Sequence, residues 1–220
     1  RIGAPEQWWR MNKARNFQEW KAAMETLQLP NFNTVYADRY DTIYYVSNAL
    51  LPKRVAGIDY SETVPGNRSA VVWKNYHDFE ELPQQLNPAV GYLFNTNHSP
   101  FKAGALADTL SAAAHPREMG FDLRDNNRSV RFRELMPEQE KITWEQFNQI
   151  KFDQTLPKDL AFRTNLQSLF TLNPEAYPDL RAQINTLATW NKEADINSEG
   201  AALFAFVYYY WWDNFTKTGR

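Results

Sequence analysis

Phe32-Asn-Thr-Val-Tyr-Ala-Asp38 and Thr42-Ile-Tyr-Tyr-Val-Ser47 are two runs rich in β-branched and aromatic residues, separated only by Arg39-Tyr-Asp41. Such side chains suit the half-buried pleat of a strand, and a short polar connection returns the chain antiparallel. The stretch predicts a β-hairpin. Upstream, residues 5–28 carry a helical pattern in which Phe17, Trp20, Met24 and Leu27 recur at helical spacing. Asn16 with Glu19 three residues on has the form of a capping box, and Leu29-Pro30 ends the run.

Downstream of the hairpin, Pro52, Gly57, Pro65 and Gly66 mark residues 50–70 as loop, and Phe79-Glu-Glu-Leu82 reads as a helical turn. Gly91-Tyr-Leu-Phe-Asn-Thr-Asn-His-Ser-Pro-Phe101 predicts a strand over 91–97 that Ser-Pro stops. Positions two apart on a strand face the same way, so Asn95 and Asn97 are expected on one face. After Pro100 the chain turns small and polar, then helical. Asn126 or Asn127 caps a helix over 128–135, and Thr143 with Gln146 opens another through about Phe152. Further helices are expected over about 159–170 and 175–189. A last one opens at Ser198-Glu-Gly-Ala, with Leu203, Phe204, Val207, Tyr208 and Trp211 as its apolar stripe. The class is α+β in a single fragment, with hairpin and sheet strands in 1–100 and mainly helix in 101–220.

Composition narrows the function. Of 220 residues, 43% are hydrophobic and 15% aromatic, which is ample for a folded core. A net charge of −2 removes the electrostatic case for nucleic acid or an anionic membrane as partner. No apolar run reaches transmembrane length, and residues 1–20 are not a signal peptide. The absence of cysteine excludes disulfides, thiol nucleophiles and cysteine metal sites. The abrupt ends, Arg1-Ile-Gly and Lys-Thr-Gly-Arg220, suggest a processed chain or a fragment.

The reactive side chains are sparse. His77, His98 and His115 lack the i,i+4 spacing of a zinc helix, and Glu80-Glu81 and Glu138/Glu140 read as solvated surface. There is no phosphate-binding glycine loop and no Gly-x-Ser-x-Gly elbow. Tyr208-Tyr-Tyr-Trp-Trp212 is either a stacking platform for sugars or, at helical spacing, core or subunit packing. Asn97 and Arg128 are the candidates for chemistry. A side-chain amide donates to an oxyanion without bringing charge, and an arginine fork holds such a group in place. The plainer readings are a turn asparagine and a surface arginine.

These stretches, taken together and in order, resemble the penicillin acylase (penicillin amidase) family of N-terminal nucleophile hydrolases. Trp8-Trp-Arg-Met-Asn-Lys-Ala-Arg-Asn-Phe-Gln-Glu-Trp20 looks like the family's helix before its hairpin, and Phe32–Asp38 with Ile43–Val46 looks like the hairpin itself. Val64-Pro-Gly66, Trp73-Lys74, Phe79-Glu80 and Leu86-Asn-Pro88 follow at familiar distances. Gly91–Pro100 is similar to the Gly-Tyr…Asn-x-Asn-x-Ser-Pro signature.

The resemblance implies part of an αββα catalytic subunit, the middle of its β chain. It assigns Asn97 as the side-chain oxyanion donor and Arg128 as the family arginine, with Arg131 as runner-up. Some family members hold a structural calcium through an aspartate eleven residues past that asparagine, which here is Asp108, and through a backbone carbonyl near Tyr60. The nucleophile would be an N-terminal serine whose α-amine is the base. Residue 1 is Arg, so that serine is expected outside this chain, and the chain alone is expected to be inactive. Expected partners are the remaining segments of the same precursor, namely the α chain and the N-terminal part of the β chain, and a small acyl-amide substrate. The expected location is periplasmic or secreted, with loops 50–75 and 101–127 bordering the acyl cleft. The alternatives are a non-catalytic binding or interaction module derived from the same fold, and a carbohydrate-binding role for the aromatics.

Overall fold

The computed structural model describes residues 3–136, 141–161 and 166–218, and the chain divides into two compact units, Arg1–Asp125 and Asn126–Arg220. The first unit opens with two helices where one was expected, α1 (Ala4–Lys13) and α2 (Phe17–Met24). Between them Ala14 is extended, and Asn16 caps α2 by accepting the Glu19 N–H at 2.9 Å. The Glu19 carboxylate accepts the Arg15 N–H at 3.0 Å. With its donors diverted into a new cap, the chain cannot continue the first helix.

The hairpin pairs β1 (Phe32–Ala37) with β2 (Ile43–Asn48), and β3 (Gln84–Leu86) adds to the other edge of β2, all antiparallel. The third strand was not expected. Asp38 closes the hairpin turn: its Oδ1 accepts the N–H groups of Tyr40 at 2.8 Å and Thr42 at 3.1 Å, and its Oδ2 accepts the Tyr36 hydroxyl at 2.8 Å. Tyr36 and Asp38 therefore owe their spacing to a turn rather than to chemistry. Trp20, Met24 and Leu27 pack on Tyr44, Val46, Phe79 and Leu82, with Phe17 and Tyr36 at the margin. The Trp20–Tyr36 and Phe17–Tyr44 ring centroids are 4.9 and 5.0 Å apart, and such pairs contribute roughly 0.5–1.5 kcal/mol each beyond area burial.

One buried amide joins these parts. Gln7 of α1 is fully buried; its Nε2 donates to Asn48 Oδ1 at 3.1 Å, and its Oε1 accepts the Gln28 N–H at 2.7 Å. Asn48 Nδ2 donates in turn to the Met24 carbonyl at 3.0 Å. The link spans α1, the end of α2 and the last residue of β2, and the two amides leave each other few unmade bonds.

The strand expected over 91–97 does not form. Gly91 has φ +80° and Asn97 has φ +60°, so both ends leave the extended region, and the Phe94 N–H bonds to the Ala103 carbonyl at 2.8 Å instead of a strand neighbour. Asn95 and Asn97 do not share a face. From Pro100 to Met119 the backbone runs through four short 3-10 turns.

The second unit is helical. Asn126 caps α3 (Asn127–Leu135) in a reciprocal box with Ser129, and Thr143 caps α4 (Trp144–Lys151) with Gln146, as expected. The helix expected over about 159–170 is a 3-10 segment from Leu166, with residues 162–165 outside the described residues. Two further turns precede α5 (Arg181–Thr189), and α6 (Glu199–Thr218) closes the unit. Phe204 of α6 packs on Phe170 and Trp190 at 5.7 and 5.5 Å. Arg131 forms a two-pronged pair with Asp153 at 2.8 and 2.9 Å and a third contact with Glu134 at 3.1 Å. The guanidinium's hydrogen bonds hold the Asp153 carboxyl below the usual carboxylate range.

In the full-length protein, Gln7→Ala and Asn48→Ala should each cost roughly 1–3 kcal/mol, because each leaves buried partners unsatisfied. The double variant should cost clearly less than the sum, and urea unfolding of all four proteins checks this. Arg131→Met should cost roughly 1–3 kcal/mol at neutral pH. Because Asp153 is depressed in the folded state, that stabilisation is complete above its unfolded value of about 4 and is lost as pH falls through the folded one. Melting curves of wild type and Arg131→Met should therefore draw together as pH falls below about 4.

Candidate active site

Asn97 sits at the tip of a closed loop. Its left-handed backbone is one that asparagine tolerates better than most residues, and its N–H donates to Asn95 Oδ1 at 3.1 Å. Asn95 is thus the prop of the turn, and Asn97 is exposed. Beneath them lies His98, 6% exposed, its ring stacked on Phe94 at 4.6 Å. The loop closes through the Lys102 N–H on the Ser99 carbonyl at 3.1 Å and the Phe94–Ala103 bond at 2.8 Å. The pattern Asn-x-Asn followed by Ser-Pro therefore encodes a rigid turn that presents its second asparagine.

Two grooves open in the same unit. A polar one of about 620 Å³ is lined by Arg54, Asp59, Tyr60 and Arg117, and an apolar one of about 1010 Å³ by Phe101, Phe121 and Leu123. Ser61, Arg117 and Gly120 border both, so the loops 54–61 and 112–124 meet there. Gly120 has φ +77°, a backbone that favours glycine, and a Cβ on it would lie 2.6 Å from Arg54 Nη1. That guanidinium is held by the Glu118 carbonyl at 3.1 Å, 64 residues away in sequence. Asn97 lines neither groove, but its loop is tied to the wall of the apolar one: the Ser99 N–H donates to the Arg124 carbonyl at 3.1 Å and the Leu110 N–H to the Phe101 carbonyl at 2.8 Å. These residues fall within the loops 50–75 and 101–127 that the resemblance sets beside the acyl cleft, but no local sequence signal singled out Gly120 or Arg54 within them.

Arg128 is the second residue of α3, in the second unit, and it is exposed. Arg131, one turn on, is committed to Asp153 and Glu134. Asp108 is half-buried; its Oδ2 accepts the Val90 N–H at 3.0 Å, and its carbonyl accepts from Gln85 Nε2 at 2.8 Å. Among the described residues no three His, Asp or Glu side chains gather as a metal site. His77 is buried 3.3 Å from Glu81, and His115 packs on Phe101 at 5.1 Å. Glu138 and Glu140 lie outside the described residues. The α6 aromatics divide by face. Phe204 is buried as the stripe required, whereas Phe206 and Tyr210 are exposed by 77% and 75%. No described helix is long and apolar enough to cross a membrane.

Residues 3–219 match the family model described as penicillin amidase. Penicillin G acylase of Escherichia coli is 30% identical over 197 residues, covering 88% of this chain and 22% of that protein. Among solved structures, the thermostable penicillin G acylase from Alcaligenes faecalis superposes with a TM-score of 0.56 at 23% identity, covering 86% of this chain and 32% of that one. That likeness is one of fold, and it agrees with the α+β class. The chain spans about a fifth of the length of the curated relative it matches, 22%.

Proposed function

The chain belongs to the penicillin amidase family, and from that premise we propose that its residues form part of the active site of an amide hydrolase, an acylase cleaving small acyl amides. An N-terminal serine outside residues 1–220 attacks the amide carbonyl carbon through Oγ, and its own α-amine takes the hydroxyl proton. The carbonyl electrons move onto oxygen, and the Asn97 amide N–H donates to that oxyanion without adding a charge. As the C–N bond breaks, the α-amine returns the proton to the departing amine. Water then repeats both steps on the acyl-serine and releases the acid.

The observation that carries this reading is the presentation of Asn97, exposed on a left-handed turn propped by Asn95, inside a family match running the length of the chain. By the resemblance, Arg128 at the start of α3 is the arginine that orients the site. The two grooves border the cleft, the apolar one suiting the hydrophobic part of the substrate. The remaining segments of the precursor supply the nucleophile and the rest of the cleft, in a periplasmic or secreted enzyme. Asp108 contributes one ligand to a structural calcium whose other oxygens come largely from those segments.

The full-length protein, assayed with the 4-nitroanilides of acetic, octanoic and phenylacetic acids, should release nitroaniline from at least one. Release from none overturns the reading and favours a non-catalytic module. Residues 1–220 alone should release none. Asn97→Gly, which keeps the left-handed backbone, should lower kcat roughly 100- to 1,000-fold with little change in KM. Near-normal turnover would remove Asn97 from the chemistry. If calcium is held, a chelator should lower the melting temperature of the wild type and leave that of Asp108→Asn almost unchanged.

A further inference from the structure

We propose that His98 is a positioning residue for Asn97, acting from beneath the turn that presents the amide. The proposal rests on Asn97 being the oxyanion donor. His98 Nε2 lies 2.7 Å from the Lys102 carbonyl, which can only accept, so Nε2 carries the ring proton. Nδ1 is then the acceptor, and both the Thr96 N–H at 3.3 Å and the Thr96 hydroxyl at 3.0 Å converge on it. The neutral ring thus grips the residue before Asn97 with one nitrogen and the far side of the loop with the other. Stacking on Phe94 at 4.6 Å, at an interplanar angle of 20°, fixes the plane in which both bonds are made.

Asn97 is held on either flank as a result: Asn95 takes its N–H, and His98 takes the N–H and hydroxyl of Thr96. The ring is almost wholly buried, so it acts through the turn rather than on the substrate. An oxyanion donor works by being fixed before charge develops, and a displacement near 1 Å costs about 100-fold in rate. A loosened turn should therefore reduce kcat and largely spare KM.

The test uses the full-length protein and whichever of the three nitroanilides it cleaves fastest. His98→Leu roughly keeps the volume and removes all three hydrogen bonds of the ring, whereas His98→Asn keeps an acceptor close to the Nδ1 position. His98→Leu should lower kcat about 10- to 100-fold with KM within about threefold, and His98→Asn should recover much of the loss. In an Asn97→Gly background, His98→Leu should cost less than about twofold more, because the group it positions is already gone. Equal losses in the two backgrounds, or an unchanged kcat in His98→Leu, would overturn the proposal. An unchanged kcat in Asn97→Gly itself would instead sink the oxyanion reading beneath it. Should His98→Leu fail to fold, His98→Gln, which keeps a donor towards Lys102, takes its place in the same comparison.

Discussion

The amide-to-amide bond between Gln7 and Asn48 is the constraint from which the first unit is built. A buried amide that is not hydrogen-bonded costs more than most single apolar contacts return. Gln7 therefore fixes where α1 lies, Asn48 fixes where β2 ends, and the Met24 carbonyl that Asn48 also binds fixes where α2 stops. Hydrophobic burial of Trp20, Met24 and Tyr44 supplies the larger energy, but it is tolerant of sliding. The amides are not. With the central strand held, the chain that leaves β3 reaches the loop of Asn97 from a fixed starting point.

That loop shows a second use of the same economy of polar groups. Asn95 takes the Asn97 N–H, His98 joins Thr96 to the Lys102 carbonyl, and the residue left outward is the asparagine whose amide suits an oxyanion. The neighbouring grooves are made differently, from a glycine that admits an arginine and from aromatic rings on the following segment. The turn that presents Asn97 and the grooves thus come from adjacent stretches of one unit.

What could be read beforehand follows the range of the interactions concerned. The hairpin was legible because its short turn and its β-branched and aromatic composition are local, and so were the caps at Asn126 and Thr143, which bind three residues ahead. Tyr92-Leu-Phe94 has the composition of a strand, but its fate is decided by Ala103 and by two left-handed residues at its ends. Gln84-Gln-Leu86 has no strand propensity to speak of and forms one because the edge of β2 has groups to satisfy. Gln7 looked like any polar position on a helix, since its partner lies 41 residues away. For the proposed site, Asn97 was singled out by the order of its surrounding motifs, whereas His98 was visible only as a histidine beside it. The role proposed for it rests on a tautomer that its Thr96 and Lys102 partners dictate.

The distance between Gln7 and Asn48 also has a dimension of time. Translation at roughly 5–20 residues per second separates the synthesis of these two amides, 41 positions apart, by about 2–8 s. Helices form in microseconds, so during that interval α1 can wind and unwind freely but has nothing to hold its polar core-facing residue in place. The nascent segment must stay solvated until the whole hairpin has emerged, and docking then comes as a single late event. A chaperone that engages this stretch as it emerges has a window of seconds set by the spacing of two amides.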